Sequence, residues 1–178
     1  MRSNRLAVLF LILSPTTVAS EPGPQLGKRL SAQEIQAMDR HVFPDGTGLP
    51  EGQGNAQQGA MTYAQKCAHC HGSKGAGGTA GELVGHSPLD GPHPDQSIGN
   101  YWPYASTLFD FIQRSMPLDA PGSLSANEIY SLCAYLLELN GVIRAGTTID
   151  QKTLAEIGMP NRNGFISLWP EPSVNSKH

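Results

Sequence analysis

Aromatic side chains are scarce in this sequence, at 7% of residues, and charged side chains make up only 15%. Soluble domains commonly carry about a quarter charged residues. No stretch is rich enough in Ala, Glu, Lys, Leu and Arg for a coiled coil, and the glycines have no three-residue period, which excludes collagen. A highly charged disordered chain is not indicated either. Long hydrophobic runs are also missing: the longest, Leu6 to Leu13, is less than half of the ~20 residues that a membrane span needs. What the 178 residues hold instead is 20 glycines and 14 prolines. That length suits one ordinary domain, yet a chain so rich in turn formers and so poor in aromatics must find its core somewhere.

Residues 1–20 read as a leader rather than as part of the fold. Arg2 and Arg5 precede the apolar run, and Val18-Ala19-Ser20 closes it with small residues, the pattern of a secretory signal peptide cut before Glu21. Loss of the two arginines takes the formal charge from −3 to −5. An acidic exported chain without a membrane span after cleavage is a poor match for nucleic-acid binding.

The remainder is expected to contain helices and irregular segments, with no long strand and no internal repeat. Residues 21–55 form an N-terminal extension containing one short helix, opened by Ser31-x-x-Glu34 and carrying Ile35, Met38 and Val42 on one face. The spacing predicts helices over Ala56–Ala68, Pro103–Arg114 and a segment capped by Ser125-x-x-Glu128 that stops at Asn140-Gly141. Residues 72–100 are glycine-rich and aperiodic, a long loop of the kind that usually serves a function. The central domain thus covers 56–141, and 142–178 is a C-terminal extension with a short helix near Lys152–Ile157.

The chemistry concentrates in Cys67-Ala68-His69-Cys70-His71, the attachment pattern of a c-type haem. Two sulfurs one helical turn apart reach the two vinyl groups on one porphyrin edge, and the next residue presents its imidazole to the iron. A thioredoxin-like dithiol would need a preceding strand, and a zinc site would need ligands from a second element. A plain Cys67–Cys70 disulfide would leave His71 and the glycine-rich loop unexplained. His71 is therefore the expected proximal ligand, and Cys133, on the apolar face of the last helix, a buried core thiol. For the sixth ligand the leading candidate is Met116, which Pro117 biases toward an extended backbone just past the end of a helix. Met159, His86, His93 and an open site remain as alternatives. A His/Met pair suits electron transfer rather than chemistry at iron.

At these residues the chain resembles the class I cytochrome c family, an all-α fold around one covalently bound haem, here with long irregular N- and C-terminal flanks. Gly59, Tyr63 and Tyr135 match the crossing of that family's terminal helices, and Pro88-Leu89 looks like the proline whose carbonyl receives the proximal imidazole proton. Ile98-Gly99-Asn100-Tyr101-Trp102-Pro103-Tyr104-Ala105, Asp45 to Pro50 and Met159 to Phe165 are similar to the cytochrome subunit of sulfane dehydrogenase of the Sox sulfur-oxidation system. That resemblance implies a periplasmic electron-transfer subunit. Its partners would be a molybdenum-containing, sulfite-oxidase-like subunit that donates electrons and a soluble cytochrome c that accepts them. It also implies Trp102 and Tyr104 near the haem edge and Arg114 paired with a propionate. A free-standing haem enzyme or gas-binding protein with an open sixth site, and a mobile electron shuttle, are the competing functions.

Overall fold

A computed structural model describes residues 26–168 of the chain. The expected signal peptide lies outside the described residues, as does the end of the C-terminal extension. The described residues divide into two units, one ending at Gln36 and the other beginning at Ala37. Helix α1 covers Ala32–Met38. Its start is closed as the sequence predicts: Ser31 Oγ accepts the Glu34 N–H at 3.2 Å, and the Glu34 carboxylate accepts the Ser31 N–H at 2.8 Å. Ile35 and Met38 are nevertheless exposed, and Val42 falls beyond the helix end.

In the second unit the elements run β1 (Gln53–Asn55), α2 (Ala56–Lys66), α3 (Ala68–His71), α4 (Ile98–Tyr101), α5 (Ala105–Ser115), α6 (Ala126–Leu139) and β2 (Thr148–Asp150). The capping box before α6 is present, with Ser125 Oγ accepting the Glu128 N–H at 3.3 Å and Glu128 accepting the Ser125 N–H at 2.9 Å. Gly141, at φ +70°, ends that helix where expected. Three boundaries differ from the sequence reading. The predicted Ala56–Ala68 helix breaks at Cys67, whose backbone is non-helical, and restarts as α3. The helix expected from Pro103 begins at Ala105, because Trp102 to Tyr104 stay extended or irregular after α4. The loop 72–100 is not wholly aperiodic, since it contains a 3-10 turn at Ser73–Gly75 and ends in α4.

β1 and β2 pair antiparallel, with Gly54 opposite Ile149, and so join the residues just before α2 to those after α6. The core lies among α2, α5, α6 and this pair: Tyr63, Leu108, Phe109, Ile112, Tyr130, Leu132 and Leu137 are buried together with Ile149, Leu154 and Met159 of the C-terminal extension. Phe109 and Tyr130 pack as tilted rings 4.6 Å between centroids, tying α5 to α6. Cys133 is fully buried, as expected, and burial pushes its thiol far up. Among the described residues no helix is long and apolar enough to cross a membrane.

α2 and α6 meet at Gly59, where an added Cβ would lie 1.9 Å from the Ser131 carbonyl oxygen and 2.7 Å from Tyr135 Cβ. Next to this contact, Tyr63 and Tyr135 pack at 5.3 Å. Both observations match the small-residue and aromatic crossing expected from Gly59, Tyr63 and Tyr135. Gly59→Ala must separate the helices and is expected to lower stability by ~1–3 kcal/mol, read as an earlier midpoint in urea unfolding.

Residues 42–44 are stitched along α5. The buried Asp110 carboxylate accepts the Val42 N–H at 3.0 Å and the Arg114 guanidinium, while Ser106 Oγ donates to the Pro44 carbonyl at 2.9 Å. Burial alone would push the Asp110 carboxyl up, but Arg114 and the Val42 N–H outweigh it and hold the group below its ordinary value. A depressed folded value means that this stabilisation is present above the unfolded pKa, about 4, and is lost as pH falls through the folded one. Asp110→Asn is therefore expected to flatten the acid limb of stability against pH, with wild type losing more than the variant below about pH 4.

Candidate haem attachment site

The motif sits at the C-terminal end of α2. Cys67 closes that helix by donating its N–H to the Tyr63 carbonyl at 2.9 Å, and its own carbonyl accepts the N–H groups of Cys70 and His71 at 3.1 and 3.0 Å. The single turn of α3 thus places the Cys67 and Cys70 thiols one turn apart. Both cysteines are half-buried and unbridged. Burial pushes the Cys67 thiol up to about 11, with Lys66 opposing the rise and Cys70 adding to it.

His71 ends α3 half-buried, and its Nδ1 lies 2.9 Å from the Gly81 carbonyl oxygen. A carbonyl can only accept, so Nδ1 carries a proton, and in the neutral ring this tautomer puts the lone pair on Nε2. This corrects the expectation for Pro88: the imidazole donates to Gly81, and the Pro88 carbonyl instead closes a local turn by accepting the Gly91 N–H at 3.0 Å.

The backbone around His71 is caged by glycines. Gly72 has φ +74°, and a Cβ there would lie 2.1 Å from the Gly77 carbonyl oxygen. Gly77 donates its N–H to the His71 carbonyl and Ala80 to the Cys70 carbonyl, each at 2.9 Å, so residues 77–80 run back along the motif. From α2, the Tyr63 hydroxyl reaches the Gly72 carbonyl at 3.0 Å.

Farther along, the loop is fixed by a buried carboxylate that the sequence did not single out. Asp95 accepts the N–H groups of Ser87 at 2.5 Å and Ser97 at 3.1 Å and the Asn100 amide at 3.2 Å. These bonds outweigh the rise that burial would cause and hold its carboxyl below the ordinary value. Asx and Ser positions in a glycine-rich loop are the signal that points to such a knot.

Met116 caps α5 in the extended conformation expected for a residue before proline, with φ −124° and ψ 146°. It is half-buried and packs against the same core cluster as Cys67, Ala68, Leu83 and Trp102. Met159 is buried within that core, whereas His86 and His93 are exposed on the loop. Trp102 meets Phe111 edge-on at 5.8 Å, and Tyr104 lies under the Arg162 guanidinium at 5.0 Å. Arg114, which the family likeness pairs with a propionate, is bound through Nε and Nη2 by Asp110 one turn earlier.

Two unbridged thiols on one turn and an imidazole whose Nδ1 is held by a carbonyl are the donor set that thioether attachment and axial ligation of haem c require. Residues 54–136 match the family described as cytochrome c oxidase, cbb3-type, subunit III. Thiosulfate dehydrogenase of Stutzerimonas stutzeri (strain A1501) is 36% identical over 101 residues, which cover 57% of this chain and 32% of that protein. The chain thus spans about a third of the length of this relative. A chain in the crystal structure of the sulfane dehydrogenase SoxCD from Paracoccus pantotrophus is 36% identical with a TM-score of 0.74, covering 80% of this chain and 71% of that one. The chain belongs to the c-type cytochromes, with the class I cytochrome c fold and a covalently bound haem.

Proposed function

We propose that this protein is an exported monohaem cytochrome c that serves as the electron-transfer subunit of a periplasmic sulfur-compound dehydrogenase. The observation that carries the reading is the His71 ring, held through Nδ1 by the Gly81 carbonyl with Nε2 free for iron. Cys67 and Cys70 would hold the haem by thioether bonds, with His71 and Met116 as the iron ligands. The haem, when bound, supplies a one-electron couple between ferric and ferrous iron.

Each residue has a task that follows from its chemistry. The Nδ1–H···O=C bond fixes the His71 tautomer and ring plane and raises the basicity of Nε2. The Met116 thioether, a soft and uncharged donor, favours the ferrous state and fills the last position, which leaves no room for substrate at iron. Catalysis on sulfur then belongs to a partner. Likeness to proteins named sulfane dehydrogenase and thiosulfate dehydrogenase supports a sulfur compound as the electron source. The reading assigns the chemistry to a molybdenum-containing, sulfite-oxidase-like subunit, and onward transfer to a soluble cytochrome c. The leader pattern of residues 1–20 supports the periplasm as the compartment, and residues 56–141 form the haem domain.

Met116→Ala is expected to abolish the near-infrared sulfur-to-iron band of the oxidised protein and to let the ferrous form bind carbon monoxide. Persistence of that band would remove Met116 from the iron. The native complex purified from the periplasm is expected to contain molybdenum in fixed ratio to haem, and its absence would remove the partner assignment.

A further inference from the structure

We propose that Asn140, at the C-terminal end of α6, is a positioning residue for the proximal imidazole, acting through Leu83 and Gly81. The inference rests on the reading of His71 as an iron ligand. Gly81 itself is exposed and has no side chain to anchor it, and the residues on either side of it are hydrogen-bonded. Ala80 bonds to the Cys70 carbonyl, and Leu83 donates its N–H to the Gly75 carbonyl at 2.8 Å. Both of those bonds stay within the motif and its loop.

The Leu83 carbonyl connects the loop to other elements. It accepts the Ile98 N–H at 3.1 Å and one Asn140 Nδ2 proton, also at 3.1 Å. The second Nδ2 proton goes to the Leu136 carbonyl at 2.8 Å, which fixes the carboxamide plane to α6. Two carbonyls facing Nδ2 set the orientation of the amide, since a flipped group would bring oxygen against oxygen.

One detail argues that the amide serves these bonds rather than packing alone. Asn140 Oδ1 is buried without a hydrogen-bond partner, which costs free energy that an apolar side chain of the same size would avoid. The side chain also packs closely on Gly99, where an added Cβ would lie 2.5 Å from Asn140 Cβ and 2.9 Å from its Cγ and Oδ1. The imidazole is thereby referenced to two helices, through the motif to α2 and through Asn140 and Leu83 to α6.

Releasing the Leu83 carbonyl from Asn140 lets the Gly81 carbonyl drift from Nδ1–H. A weaker bond makes Nε2 less basic, which stabilises ferric iron less and raises the reduction potential. The experiment compares the haem-loaded wild type with Asn140→Leu, which removes both donors and the unpaired oxygen, and with Gly99→Ala, which displaces the carboxamide. Solvent exchange of the His71 Nδ1 proton is followed by NMR in the reduced state, and the potential by redox titration. In both variants exchange is expected to accelerate by about tenfold, the worth of one hydrogen bond, and the potential to rise. Wild-type rates and potential in either folded variant would overturn the role of Asn140 while leaving ligation by His71 intact. A wild-type spectrum without an iron-bound His71 ring would overturn both.

Discussion

The close approach of α2 and α6 at Gly59 is the constraint on which the rest of the molecule depends. A glycine against the Ser131 carbonyl lets two backbones touch, and nothing longer than a hydrogen fits between them. Because the approach is fixed, the end of α2 and the end of α6 are fixed with it. The first carries Cys67 and the turn to His71, and the second carries Asn140, whose amide reaches the loop that receives the imidazole proton. The site is therefore built between two helix ends, with the loop as the piece that spans them.

The same crossing explains how a chain with few aromatics makes a core. Its rings are used in pairs at contacts between elements: Tyr63 with Tyr135 at the crossing, Phe109 with Tyr130 between α5 and α6, Trp102 with Phe111 beside α5. Several glycines, for their part, sit where main chain passes close to main chain, as at Gly59, Gly72 and Gly78. Composition that looks like weakness in a list of residue types becomes, in space, a set of backbone contacts that larger residues would prevent.

Much of this was legible in the sequence because the signals were local. Both capping boxes, the Asn140-Gly141 stop and the extended backbone of Met116 depend on residues within a few positions of one another, and the structure shows each of them. The packing of Gly59, Tyr63 and Tyr135 came from a family likeness and also holds. What could not be read is what depends on backbone atoms or on isolated residues. The carbonyl that receives the His71 proton belongs to Gly81 rather than Pro88, and a carbonyl has no sequence signature. Ile149, Leu154 and Met159 enter the core from the C-terminal extension, in which they show no period. Arg114 looks free at a helix end until Asp110, one turn away, proves to be buried and in need of a cation.

Full burial of Cys133 has a consequence for how the chain matures. Three thiols in one chain permit three pairings, and an oxidant meeting the unfolded polypeptide has no means of choosing among them. Once α6 has docked, Cys133 is sealed in the core with its thiolate strongly disfavoured, while Cys67 and Cys70 remain half-exposed on their turn. Folding of the last helix thus withdraws the odd sulfur from the contest and reserves the other two for each other or for the vinyl groups of a porphyrin.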